Sequence, residues 1–119
     1  MKPIKVSLII LSIALNAQTA FAEKQARYLL GAISLPSKQS PNAFGSYSKG
    51  CLAGGVEMLE SGPTWQVMRL SRDRNWGHPD MIALLKNLSK SVAEKTSWNG
   101  IYIGDISQPR GGPMISGHA

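Results

Sequence analysis

The feature that most restricts the fold of this chain is its N-terminus, which is typical of a segment that is removed before folding. Two lysines precede a nearly unbroken apolar run at Val6–Ala14, and Ala20–Ala22 has the small-x-small form of a cleavage motif. The run is shorter than the ~20 residues that cross a bilayer as a helix. We therefore expect residues 1–22 to be a secretory signal peptide, with an uncleaved N-terminal anchor as the alternative. The fold is then expected to use residues 23–119 only.

The composition of the chain indicates one small exported domain. Its 119 residues are 43% hydrophobic and 17% charged, which is too apolar and too weakly charged for a disordered chain. No second long apolar run follows the leader, so we expect a periplasmic or extracellular protein that has no membrane contact after cleavage. One cysteine excludes an internal disulfide framework, and two distant histidines exclude a local histidine-based metal motif.

The clearest secondary-structure pattern is a helix that begins at Pro79. Proline suits the first helical position, and Asp80 beside it complements the positive end of the helix dipole. Apolar residues then recur every three or four positions, which predicts one apolar face. They are Met81, Ile82, Leu84, Leu85, Leu88 and Val92. The segment Trp98–Gly100 is expected to stop the helix.

Strands are predicted on both sides of this helix. Val56–Leu59 and Trp65–Leu70 have strand character, and the turn signal Ser61–Pro63 between them predicts a hairpin. Ile101–Ile103 is predicted to be a short strand in the centre of a sheet. Glu23–Gly50 is rich in glycine, proline and serine, and is predicted to be extended rather than helical. The sequence therefore predicts an α+β fold: a small antiparallel sheet with one main helix, in an incomplete domain with a thin core.

Six short motifs follow one another along the exported part of the chain. They are Gly45-Ser46-Tyr47-Ser48-Lys49-Gly50-Cys51, Trp65-Gln66-Val67-Met68-Arg69, Arg74-Asn75-Trp76-Gly77-His78-Pro79-Asp80, Ile103-Gly104-Asp105, Pro109-Arg110-Gly111-Gly112 and Gly117-His118-Ala119. Their order and spacing resemble the N-terminal part of the penicillin-insensitive murein endopeptidases. Members of that family are periplasmic zinc enzymes of Gram-negative bacteria, related to the D-Ala-D-Ala metallopeptidases.

The resemblance implies a Zn²⁺ enzyme that hydrolyses the D-alanyl–diaminopimelyl cross-links of peptidoglycan. The family's metal motif reads Gly-His-Ala-x-His, so that its first histidine matches His118. The second histidine, an aspartate and a later histidine have no counterpart in the sequence. Residues 23–119 are therefore expected to be a truncated N-terminal part of the enzyme domain that is inactive alone. The resemblance also implies that Cys51 is one half of a disulfide bond whose partner lies beyond Ala119.

Both histidines have a structural alternative to a role in catalysis. Zinc catalysis needs about three protein ligands and an open position for water, so one histidine cannot hold the metal. His118 is therefore either a metal ligand of the intact site or a loop histidine that orients a ligand. His78 precedes the predicted helix, and a role at the helix N-terminus near Asp80 is favoured over contact with substrate.

Three arginines and one aspartate are further candidates for the site. Arg69, Arg72 and Arg74 could bind the carboxylates of peptidoglycan stem peptides, although a solvated connection between strand and helix is favoured. Asp105 follows the inner strand and is interpreted as a turn residue that could lie near the site.

A non-catalytic exported module that binds peptidoglycan through arginine and tryptophan is the alternative function. Trp65, Trp76 and Trp98 are interpreted as core residues, with stacking on sugars as the alternative. Without Lys2 and Lys5 of the leader, 11 basic and 7 acidic residues remain, and this net charge of +4 suits an anionic cell wall. Binding of nucleic acid is not expected, because the basic residues are dispersed and the chain is exported.

Overall fold

The computed structural model describes residues 25–46 and 49–117 of the chain. Within these residues, helix α1 spans residues 25–31 and helix α2 spans Pro79–Lys95. The signal peptide predicted for residues 1–22 and the candidate metal ligand His118 lie outside the described residues. None of the described helices has the length and apolar character needed to cross a membrane.

Helix α1 shows that the prediction of an extended segment between residues 23 and 50 is wrong at its start. A Cβ atom added at Gly112 would overlap the side chain of Leu30, and one added at Gly31 would lie 3.0 Å from Ile115. The helix therefore packs closely against the segment around residues 112–115. Packing against distant residues stabilises a short helix that its own sequence cannot form alone.

Helix α2 confirms the predicted main helix and its start at Pro79. His78 is the N-cap residue, and its Nδ1 accepts a hydrogen bond of 3.2 Å from the backbone N–H of Asp80. At the other end, the N–H and the hydroxyl of Thr96 both donate to the carbonyl oxygen of Val92, at 3.0 and 2.7 Å. These bonds satisfy backbone groups that the helix ends leave unpaired. The helix thus ends shortly before the predicted stop signal.

Six strands form three two-stranded sheets among the described residues. The strands are β1 (Asn42–Ser46), β2 (Lys49–Ala53), β3 (Val56–Glu57), β4 (Trp65–Val67), β5 (Trp76–Gly77) and β6 (Ile101–Ile103). The pairs β1–β2 and β3–β5 are antiparallel, whereas β4 and β6 are parallel. The α+β prediction with small antiparallel sheets is confirmed, and one parallel pair is added to it.

The predicted hairpin between the two strands that flank Ser61–Pro63 is wrong. β3 pairs with β5, placing Val56 opposite Gly77, and β4 pairs with β6, placing Gln66 opposite Tyr102. A parallel pair needs a long crossover connection, and α2 supplies it between β4 and β6. The turn signal makes only a local turn, in which the N–H of Gly62 donates to the carbonyl oxygen of Trp65 at 3.0 Å.

The core lies between the β4–β6 pair and helix α2. Its buried side chains are Met58, Val67, Ile82 and Ile103, and Trp65, Leu85, Ile101 and Ile106 pack against them. The helix is tied to the loop before β4 by a 2.8 Å hydrogen bond between the hydroxyls of Ser89 and Thr64. The rest of the predicted apolar face of α2 is only partly covered, since Met81, Leu84 and Leu88 are exposed.

Strand β6 is not the doubly buried central strand that its apolar sequence predicts. Ile103 is buried, but Tyr102 between the two isoleucines is exposed. Within the described part of the chain, β6 pairs with β4 alone. Its two faces therefore differ, with the isoleucines directed to the core and Tyr102 directed outward, as expected for a strand with one buried face.

Candidate functional site

Arg74 fixes the segment that leads to His118. Its Nη1 donates to Asp105 Oδ2 at 2.8 Å and to the carbonyl oxygen of Gly117 at 2.9 Å. Its Nη2 donates to the carbonyl oxygen and to the hydroxyl of Ser116, both at 2.8 Å. The side chain is only 8% exposed. One guanidinium thus binds a carboxylate and two successive residues of the segment, using its planar set of donors.

Arg72 contacts two of the residues that Arg74 binds, Asp105 and Gly117. Its Nη1 lies 3.2 Å from Asp105 Oδ2, and its Nη2 donates to the carbonyl oxygen of Gly117 at 2.6 Å. The Asp105 side chain is 5% exposed. We name the three side chains Arg72, Arg74 and Asp105 the arginine clamp. It places the backbone immediately before His118 among charge-assisted hydrogen bonds, which are stronger than neutral ones.

The chain turns sharply to bring both arginines to one side. Leu70–Arg72 is a single turn of 3₁₀ helix between Arg69 and Asp73, which both have left-handed backbone conformations with φ of 56° and 51°. The Asp73 carboxylate accepts a 2.8 Å hydrogen bond from Trp76 Nε1. Left-handed backbone is costly for residues other than glycine, and it persists where the surroundings hold it in place.

Asp105 is brought to the arginines by the pairing of two distant segments. The N–H of Ile106 donates to the carbonyl oxygen of Arg74 at 2.8 Å, and the N–H of Trp76 donates to that of Ser107 at 3.0 Å. These bonds align the start of β5 with the segment after β6. Backbone hydrogen bonds therefore hold Arg74 and Asp105 next to each other, in addition to the contact between their side chains.

The loop between Gln108 and Pro113 carries the chain from the sheet toward the clamp. Gln108 is buried, and its Nε2 donates to the carbonyl oxygens of Gly111 at 2.7 Å and Pro113 at 3.1 Å. The N–H of Leu52 in β2 donates to the carbonyl oxygen of Arg110 at 2.8 Å. Gly111 has a φ of 63°, which glycine adopts without strain. The Pro-Arg-Gly-Gly motif thus docks a turn onto β2.

The described residues do not by themselves fit the zinc site that the resemblance implies. Among them, no three side chains of His, Cys, Asp or Glu lie close enough together to hold a metal ion. A catalytic zinc ion requires about three protein ligands. The arrangement that the structure does describe anchors a backbone segment next to His118.

His78 is the cap of helix α2, as the favoured structural alternative predicted. Its Nδ1 is engaged by the N–H of Asp80 and lies 3.5 Å from the Asp80 carboxylate. The Asp80 side chain is itself 94% exposed. These contacts assign His78 to the stability of the helix.

Replacing His78 by alanine is expected to lower the free energy of unfolding by about 1 kcal/mol, because the helix loses its N-cap acceptor. Denaturant titration of the two proteins measures the difference. His78→Asn is the matched control, since asparagine caps helices well and should restore most of the loss. An asparagine variant as unstable as the alanine variant would contradict the capping role.

The three arginines divide into two groups. Arg69 is exposed, whereas Arg72 and Arg74 bind within the protein, so the prediction of a solvated connection is wrong for these two. Asp105 is a partner of both arginines and thus more than a turn residue. Sequence reasoning missed this clamp and the role of Gln108. The available signal was the pair of arginines two positions apart, together with an aspartate two residues after the end of a strand.

Cys51 lies in β2, opposite Phe44 of β1, and its side chain is exposed. It is a free cysteine in the part of the chain that the structure describes. The disulfide bond that the resemblance implies stays a prediction. An exposed position on a strand next to the Gly111 turn leaves the thiol accessible.

The proteins that are similar to this chain are endopeptidases. The model of the penicillin-insensitive murein endopeptidase family matches residues 43–119. A penicillin-insensitive murein endopeptidase of Pectobacterium atrosepticum is 36% identical over 110 residues, covering 92% of this chain and 39% of that protein. Proteins of the same name are 36% identical in Klebsiella pneumoniae, over 90% of this chain and 39% of that protein, and 39% identical in Haemophilus influenzae, over 69% and 28%.

This chain belongs to the penicillin-insensitive murein endopeptidase family. The match covers the hairpin β1–β2, the core, helix α2 and the arginine clamp. The resemblance that the six motifs indicated is confirmed. The chain spans less than half of the length of the relatives it matches, 39% of the Pectobacterium protein.

Proposed function

We propose that this chain forms the N-terminal part of a periplasmic, zinc-dependent endopeptidase that cleaves D-alanyl–diaminopimelyl cross-links of peptidoglycan. In this proposal residues 1–22 are the signal peptide and residues 23–119 belong to the enzyme domain. His118 is one ligand of the Zn²⁺ ion, and peptidoglycan is the substrate. Family membership and the names of the relatives support the endopeptidase activity and its substrate.

The observation that carries this proposal is the arginine clamp on Ser116 and Gly117. A metal ligand has to be oriented by its surroundings before the metal binds, because a loosely held ligand loses affinity and activity. Arg72 and Arg74 bind the two residues before His118, and the buried Asp105 carboxylate pairs with both arginines. An anchor of this kind fixes the backbone next to His118, as the orientation of a metal ligand requires.

The basic character of the chain supports a location in the cell wall. Residues 23–119 hold 11 basic and 7 acidic residues, and their net charge of +4 favours association with an anionic polymer. This attraction weakens as salt screens it. Arg72 and Arg74 are occupied within the clamp, so other groups must provide the contacts with the wall.

The test is cleavage of cross-linked muropeptides by this chain joined to the C-terminal remainder of the Pectobacterium relative. We expect release of monomeric muropeptides, followed by chromatography, and loss of that release with a chelator or in His118→Ala. The chain alone is expected to release none. The matched control is His78→Ala, which changes the other histidine of the chain and should leave cleavage intact.

Three outcomes decide between the parts of the proposal. Cleavage that survives both the chelator and His118→Ala would remove zinc and His118 from the proposal. A folded fusion that binds peptidoglycan sacculi but cleaves no cross-link would favour the alternative, a non-catalytic peptidoglycan-binding module. Cleavage of another bond, identified from the products, would replace the proposed cross-link.

A further inference from the structure

A groove without charged side chains lies on the outer side of the β4–β6 pair. It has a volume of about 520 Å³ and is formed by two segments, residues 62–66 and residues 97–102. Its described lining contains aromatic, amide, hydroxyl and small residues, and none of these lining residues carries a charge. The volume is within the range of sites that bind small ligands, about 300–1,000 Å³. We name it the uncharged groove.

Two aromatic side chains of this groove are exposed to solvent. Trp98 is 68% exposed and Tyr102 is 73% exposed, whereas Trp65 and Trp76 are only partly exposed. Trp65 packs against the core. The interpretation of the tryptophans as core residues is therefore wrong for Trp98. An exposed indole and an exposed phenol that line one cavity form a large, rigid contact surface, which is costly to leave in water.

The alternation of β6 explains why Tyr102 faces outward. Ile103 points into the core, so the side chain of Tyr102 between the isoleucines points to the opposite face. Gln66 is its partner across the parallel pair and is also exposed. An amide group and an aromatic ring thus stand side by side on the wall of the groove.

The backbone of the groove is held firmly in place. The N–H of Ile101 donates to the carbonyl oxygen of Thr64 at 2.9 Å, and the N–H of Trp98 donates to the hydroxyl of Thr96 at 3.1 Å. Gly100 has a φ of 156°, and a Cβ atom added there would overlap the Thr64 carbonyl oxygen. The backbone at Gly100 therefore lies so close to the Thr64 carbonyl group that only glycine fits there. A site built in this way binds with little loss of conformational entropy.

The chemistry of the lining favours a neutral ligand that has both apolar and hydroxyl-rich faces. A carboxylate or phosphate would require a cation, and the lining residues include none. Lys86 has its Nζ 5.4 Å from the centre of the Trp65 ring and is not among the lining residues. A pyranose ring presents a face of C–H groups that stacks on aromatic rings, and its hydroxyls and acetamido group bind amides. Gln66, Ser97 and Asn99 provide such partners, and all three are exposed.

We propose that the uncharged groove binds an N-acetylated amino sugar of the glycan strand of peptidoglycan, stacked on Trp98 and Tyr102. The choice of this sugar rests on the proposed function, because peptidoglycan is the polymer that the family name implies. The groove holds the glycan, while the arginine clamp holds the segment before His118. Binding of the strand positions the wall polymer and leaves the peptide cross-links to the rest of the enzyme.

The experiment measures binding of N-acetylchitotriose to the full chain by tryptophan fluorescence, and co-sedimentation with glycan strands from which the stem peptides have been removed. We expect saturable binding that Trp98→Ala and Tyr102→Ala each weaken by about tenfold, because each removes a stacking surface. Tyr28→Ala is the matched control, since Tyr28 is 55% exposed but lies in α1, outside the groove. Trp98→Phe should retain most of the binding.

Several results would overturn this inference. They are a folded chain that binds neither probe, a Trp98→Ala variant that binds as tightly as the parent, and a free stem peptide that binds where the sugars do not. The outcome is separate from that of the proposed function. Cleavage by the fusion without glycan binding would remove only the groove proposal, whereas glycan binding without cleavage would remove only the enzyme proposal.

Discussion

Replacing Asp105 by alanine is expected to lower the free energy of unfolding by about 3–5 kcal/mol, the cost of leaving a buried charge without its partner. Asp105 is the carboxylate that both Arg72 and Arg74 approach, at 3.2 and 2.8 Å. Without it, the two guanidinium groups keep only neutral acceptors, the carbonyl oxygens of Ser116 and Gly117 and the Ser116 hydroxyl, and Arg74 is buried there. Denaturant titration followed by circular dichroism measures the loss.

The matched control for this prediction is Asp80→Ala. It makes the same substitution at an aspartate that is 94% exposed, so a change below about 1 kcal/mol is expected. The proposed function adds that Asp105→Ala should reduce zinc occupancy of the fusion with the C-terminal remainder, at temperatures where the protein stays folded. An Asp105→Ala chain that is as stable as Asp80→Ala would contradict the clamp.

Replacing Gly100 by alanine is expected to cost about 3 kcal/mol or more, since it combines backbone strain with a steric overlap. The φ of 156° is one that residues with a side chain rarely adopt, and the new Cβ would meet the carbonyl group of Thr64. That carbonyl accepts the 2.9 Å hydrogen bond from Ile101 that starts the β4–β6 pair. Separation of the two segments would break this bond and open the groove.

Gly104 provides the control for this second prediction. It lies four residues further along the same segment, and a Cβ atom added there would have no atom within 4 Å. Gly104→Ala is therefore expected to be neutral or to stabilise the chain by about 0.4–1 kcal/mol, because alanine restricts the unfolded chain. Equal stability of the two alanine variants, measured by thermal and denaturant unfolding, would show that the close approach at Thr64 is not rigid.

The sequence predicted the elements of the fold better than their pairing. Helix α2 was predictable because independent signals agree: Pro79 and Asp80 both indicate its start, and the apolar repeat that follows indicates its buried face. The partner of β4 was not predictable, because the turn signal at Ser61–Pro63 favours a hairpin, and only the path of α2 brings β6 alongside. Helix α1 was missed since its stability depends on contacts with residues more than 80 positions away.

The candidate site was also predictable only in part, because most of its contacts join residues that are far apart in the sequence. The terminal motif pointed to His118 through the family resemblance, and the proline after His78 indicated a helix cap. Arg74 and Asp105 are 31 residues apart, and Arg74 and Ser116 are 42 apart. No periodicity or local spacing relates residues at such separations. The exposure of Trp98 was not predictable either, because large apolar side chains occur both in cores and on protein surfaces.

The uncharged groove and the arginine clamp are joined by strand β6 and the two residues that follow it. Tyr102 in the groove and Asp105 in the clamp are three residues apart, so their Cα atoms can be separated by no more than about 11 Å. Covalent geometry sets this upper limit, so the movement of another domain cannot separate the two residues further. A polymer bound at Tyr102, as proposed, would therefore stay within a short distance of Asp105, whose partner Arg74 holds the segment that precedes His118.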